Sequence, residues 1–178
     1  RDRILLAPHS FSVAGPERAY VYHALSASAD VLDASATSPT PGQVVVSVLS
    51  RTGDGTAPPA TIDAVEAVLT DDQVRPLTDE VIVQSADIVS FAIEANVWLY
   101  AGPDPQLIID AAEASLSAFL TKARRLGRDI PRSAINAAIH VAGVQRVDLL
   151  SPAADQVMTM LQAGWCSDIS LTYAGIDE

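Results

Sequence analysis

A single cysteine, Cys166, stands in the 178 residues of this chain, and aromatic residues make up only 5% of it. One thiol excludes an intrachain disulfide and every multi-cysteine metal pattern, so Cys166 is most simply a small buried apolar residue. Basic residues are scarce as well: 11 Lys and Arg stand against 22 Asp and Glu, a formal net charge of -11. Lys and Arg are the groups that neutralise phosphates, so nucleic acid and anionic lipid surfaces are poor general partners. No run approaches the ~18 apolar residues that a membrane-spanning helix needs, and no signal peptide opens the chain. The first residue is Arg1, not Met, which gives the expectation that residues 1–14 are a tether from a missing N-terminal region.

What is present is a globular composition. Apolar residues account for 49%, enough for a core, and with so few aromatics that core must be built from Val, Ile, Leu and Ala. The length suits one domain or two small ones. The one basic cluster, Lys122, Arg124, Arg125 and Arg128, falls at the end of a predicted helix, where cations complement the helix dipole.

The stretch SRTGDGTAPPATIDAVEAVL, Ser50 to Leu69, has the outline of a phosphate loop without its parts. No Lys and hydroxyl pair follows Gly55, no third glycine completes a GxGxxG, and Asp54 between the glycines repels a phosphate. An internal echo explains the stretch better. IDAVEAVL (62–69) and IDAAEASL (109–116) agree at six of eight positions, and the same offset aligns Gly55 with Gly102 and Pro58 with Pro105. Both glycine stretches therefore turn a strand into a helix, and the glycines serve backbone geometry.

Periodicity supplies the elements. Gly15-Pro16 opens a helix to about Ala27; Val31 to Ala36 and Gln43 to Leu49 read as strands of a hairpin around SPTPG. A helix follows with Ile62, Val65, Val68 and Leu69 on one face, then a strand from Thr78 to Gln84. From Phe91 to Tyr100 the alternation is strict: Phe91, Ile93, Ala95, Val97 and Leu99 on one face, Ala92, Glu94, Asn96, Trp98 and Tyr100 on the other. Asp104 then caps a helix entered through Pro105, which buries Ile109, Ala112, Leu116, Phe119, Leu120 and Ala123 and ends near Gly127. A helix from Pro131 to Val141 and strands over 144–149 and 166–173 complete the pattern. Residues 151–164 fit an extended arm or a short helix equally. The fold class is α+β: two small α+β units, each a short sheet packed against one or two helices, over 15–86 and 87–178.

Catalytic patterns are not found. His9, His23 and His140 lack zinc spacing, no GxSxG elbow presents a nucleophile, and adjacent acids such as Asp79 and Glu80 are solvated surface groups by default. No catalytic, cofactor-binding or metal-ligating residue is assigned. The candidate site is an interface: Trp98 and Tyr100 share a strand face with polar Glu94 and Asn96, and large aromatics on such a face suit binding. The alternative is that Trp98 lies beneath a helix of its own domain.

Three stretches in order, SVLSRTGDGTAPP with VRPLTDEVIVQSA, then LGRDIPRSAINAAIHVAGVQRVDLLSPAAD, then the final strand with its GIDE tail, resemble the carboxy-terminal portion of the baseplate J-like proteins of contractile-tailed bacteriophages and phage-derived particles. The resemblance covers Ala14 to Glu178. It implies a structural wedge protein of the virion tail baseplate, made in the host cytoplasm, that couples host contact to sheath contraction. The implied partners are a second J-like copy, the I-like protein and the lysozyme-like wedge protein, in an oligomeric particle. No catalytic residue or cofactor carries over. Pro131 stands where relatives often have a polar helix cap. The rival readings are a carboxylate-based hydrolase and a small-ligand binding domain, either of which needs a convergent pair of perturbed carboxylates in a deep pocket.

Overall fold

The computed structural model describes residues 17–71, 74, 80–102 and 104–177. The expected tether over 1–14, the helix start at Gly15-Pro16, His9, Asp79 and the first part of the Thr78 to Gln84 strand lie outside them. Along the chain the elements are α1 (Glu17–Ala27), β1 (Val31–Thr37), β2 (Gln43–Ser50), α2 (Pro59–Leu69), β3 (Glu80–Ser85), β4 (Asp87–Leu99), α3 (Pro105–Ala123), α4 (Arg132–Ile139), β5 (Val144–Ser151) and β6 (Gln162–Ile176). Two three-stranded sheets form, with orders β1-β2-β3 and β5-β4-β6. The fold is α+β. The chain divides between Ile88 and Val89, and Thr159–Ala163 also belong to the first unit, whereas sequence places all of 87–178 in the second.

In the first unit, β1 and β2 are an antiparallel hairpin and β2 pairs in parallel with β3 through α2. A parallel neighbour requires such a crossover. Being the central strand, β2 is buried from Val46 to Ser50. Val46 and Val48 pack with Val65 and Leu69 of α2 and with Tyr20 and Ala24 of α1 in an aliphatic core. Helix α2 starts earlier than its apolar period, at Pro59, because a proline in the first turn loses no hydrogen bond.

The loop between β2 and α2 uses its own amides. Ser50 N–H donates to the Gly55 carbonyl (2.8 Å), Gly55 N–H to that of Thr52 (3.2 Å), and Ala57 N–H to Ser85 Oγ (2.9 Å). Asp54 accepts from the Thr56 N–H at 2.9 Å, closing an Asx turn. Gly53 and Gly55 take φ of 55° and 111°, values that favour glycine.

In the second unit, β4 pairs antiparallel with β5. Ser167 Oγ reaches the Phe91 carbonyl (3.2 Å) and Asp177 N–H reaches that of Leu99 (3.1 Å), so β6 runs in the same direction as β4. Phe91, Ile93, Ala95, Val97 and Leu99 are all buried, against Ile109, Ala112 and Leu116 of α3 and Ile135 and Ile139 of α4. Asp104 caps α3 by accepting from Gln106 N–H at 3.0 Å. Helix α4 is shorter than its pattern, ending at Ile139.

The ambiguous segment is an extended arm. Ile130 and Gln156 exchange backbone hydrogen bonds (2.8 and 3.1 Å), and Met158 N–H donates to Asp129 Oδ1 at 2.8 Å. Arg132 binds the carbonyls of Leu149 and Pro152. Pro131, the residue before α4, has no side-chain oxygen to cap it; Asp155 of the arm does so, accepting from Arg132 N–H at 2.8 Å. Asp155→Ala is therefore expected to lower stability by about 1 kcal/mol, the usual loss of a helix cap. Faster amide exchange at Arg132, read by hydrogen-exchange NMR, checks it.

Candidate interface

Strand β4 separates its side chains by parity. From Phe91 onward the odd residues enter the core, whereas Glu94 is exposed, Asn96 and Trp98 are half-buried, and Tyr100, just past the strand, is 53% exposed. Trp98 is outside the core cluster that holds α3 and α4. Its partner in the β4–β5 register is Arg146, whose guanidinium carbon lies 4.1 Å from the indole centroid. At an exposed site such a cation–π contact contributes about 0.5–1 kcal/mol. Arg146 also sits 3.7 Å from Asp177, an exposed ion pair whose contribution is small. A register shift between Trp98 and Leu99 re-aims the chain here, and Tyr100 N–H, bound to the Gly143 carbonyl at 3.0 Å, fixes the backbone.

Trp98 and Tyr100 thus lie close along one strand, and three residues join them that the sequence reading did not single out. Arg146 stacks on Trp98 and pairs with Asp177; Ile176, 58% exposed, precedes Asp177, whose N–H bonds to the Leu99 carbonyl. Arg146 is 48 positions from Trp98, and only the strand register connects them. The arrangement offers a mixed aromatic and charged surface, the composition that protein partners recognise.

Asp30, half-buried before β1, accepts from Ser50 Oγ (2.8 and 2.9 Å), Thr61 Oγ1 (3.0 Å) and Thr52 Oγ1 (3.4 Å). Desolvation alone pushes its pKa up, but the hydroxyls of Ser50, Thr61 and Thr52 and the backbone N–H of Arg51 together outweigh it and hold the carboxyl below its ordinary value. An acid catalyst needs the opposite shift. A cavity of about 420 Å³ in the first unit is lined by Glu17, Tyr20, Ala36, Val44 and Met160 among others, and Asp30 is not in it. Burial raises the pKa of the half-buried Cys166 thiol, which keeps it protonated. Burial also lowers that of His23, whose ring meets Tyr22 edge to face. Among the described residues no group of three or more His, Cys, Asp or Glu could hold a metal ion, and no helix is long and apolar enough to cross a membrane.

Residues 12–85 match the family described as Baseplate J-like central domain, and residues 91–172 match the Baseplate J-like protein C-terminal domain. The chain belongs to the baseplate J-like family. It is 47% identical over its full length to baseplate protein J of Escherichia phage P2 and spans 59% of that relative. The hydroxyl-bound Asp30 falls in the J-like central domain, and the Trp98 surface in the J-like C-terminal domain.

Proposed function

We propose that this chain is a structural wedge component of a contractile phage tail baseplate, located in the virion tail and coupling host contact to sheath contraction. The observation that carries the reading is the consecutive match of the J-like central and C-terminal domains, with the phage P2 baseplate protein J alignable from end to end of the chain. Its neighbours are other baseplate proteins: a second J-like copy, an I-like protein and a lysozyme-like wedge protein. The J-like central and C-terminal domains serve as its two modules.

Trp98 and Tyr100 are the proposed contact residues. The support is the surface itself: an indole stacked by Arg146 and lying outside the core cluster of α3 and α4, with the exposed phenol of Tyr100 two residues on. Replacing Trp98 with Ser tests this. An interface residue leaves the melting temperature of the chain nearly unchanged and weakens co-purification with another wedge protein by about 2 kcal/mol or more, the scale of a binding hot spot. A loss of several kcal/mol in folding stability, as for a core aromatic, or unaltered co-purification, would reject the assignment.

A further inference from the structure

The two outer strands of the second sheet are protected very differently. On one side β5 carries Arg146 and Asp148, and its pairing with β4 is interrupted by two register shifts. Charges and bulges of this kind stop an edge from accepting a further strand. On the other side β6 is 15 residues long, and from Ile169 to Ala174 it reads ISLTYA, with no charge and no proline. Among the described residues no strand lies beyond it. Ser170, Thr172, Tyr173 and Ala174 are exposed there, while Ile169 and Leu171 lean on the core. A long, uncharged edge of high β-propensity is a template for another strand.

We propose that β6 pairs antiparallel with β6 of a second copy of this chain, about a two-fold axis at Leu171. The sequence is self-complementary in that register. Ile169 stands opposite Tyr173 of the second copy, joining apolar groups on the core-facing side. Ser170 stands opposite Thr172, so two hydroxyls meet on the other side. Asp168 falls opposite Ala174, and no like charges are juxtaposed. Each feature is favourable in cross-strand pairs, and a two-fold interface presents each of them twice. Sheets β5-β4-β6 of the two copies then become one six-stranded sheet. This deepens the assembly role proposed above and rests on it, while using a surface distinct from Trp98.

Sedimentation equilibrium of the purified 178-residue chain tests the pairing without any other baseplate protein, so its outcome is separable from the Trp98 experiment. The chain is expected to dimerise in the micromolar range. The double variant Ser170→Lys with Thr172→Lys sets lysines directly opposite each other across the axis and should weaken self-association at least about tenfold. Ser170→Glu with Thr172→Glu should do the same. Both sites are solvent-exposed, so thermal unfolding of either double variant should match that of the wild-type chain. An equimolar mixture of the two variants should recover a heterodimer. A wild-type chain that stays monomeric, a dimer indifferent to the charges, or a mixture that fails to recover pairing would overturn the proposal.

Discussion

Truncating Leu116 to Ala should destabilise the second unit by about 3 kcal/mol, within the range for a buried leucine whose surroundings cannot fully collapse. Leu116 is fully buried in the middle of α3, in a core supplied by the odd residues of β4 and by Ile135 and Ile139 of α4. That core is mainly aliphatic, with Phe91 and Phe119 its aromatic members, and the cluster contains no flexible methionine that could move in to fill the space. The first unit has a separate core, formed by α1, α2 and its own sheet. Amides of β4 and α3 should therefore lose exchange protection while those of β2 keep theirs, because substitutions without shared contacts add independently. Hydrogen exchange by mass spectrometry reads both at once. Equal loss of protection in β2 would mean that the two cores unfold as one.

Replacing Asp30 with Ala should cost about 2 kcal/mol. Its carboxylate gathers hydroxyls from the end of β2, from the loop and from the first turn of α2, and Ser50 and Thr61 are buried. Removing the acceptor strands those donors, and the loss is moderated because the carboxylate itself retains contact with water. A negative charge beside the N-terminus of α2 is also lost. The sign of the pH dependence follows from the depressed pKa. Asp30 stabilises the fold above the ordinary Asp pKa of about 4, and that contribution disappears as pH falls through the lower folded value. Denaturant melts of the wild-type chain and of Asp30→Asn should therefore keep a full gap above about pH 4, which closes as the pH is lowered further. A constant gap from pH 3 to 7 would assign Asp30 a role independent of its charge.

Local signals in the sequence went far in this protein. The period of two from Phe91 to Leu99 marks the core face of β4 because alternate side chains of a strand must point to opposite sides. Pro105 and Asp104 mark the start of α3 because both act within one turn. The unread parts all depend on a partner distant in sequence. The arm after Pro152 has no period of its own and is held by Asp129, Ile130 and Arg132. The cap of α4 comes from Asp155, 23 residues away, where Pro131 suggests none. The glycine loop could be excluded as a phosphate site from its composition, but the reason it holds its shape, the hydroxyls converging on Asp30, crosses from β1 to α2. Trp98 could be placed on a face, yet the arginine that covers it required the β4–β5 register.

The return of Thr159–Ala163 to the first unit sets an order on biosynthesis. Buried Ser35 of β1 donates its hydroxyl to the Met160 carbonyl, 125 residues later in the chain, and Asp87 N–H donates to Leu161. A ribosome releases β1, β2, α2 and β3 long before those acceptors exist. The nascent first unit can form its sheet and helices, but Ser35 must remain with water or with a temporary partner until the 125 residues that lead to Met160 have emerged. Translation delivers the closing strap of the first unit only after the strands and helices of the second unit up to β5, so a pause or truncation before Met160 leaves the first unit assembled in outline and unsealed at β1.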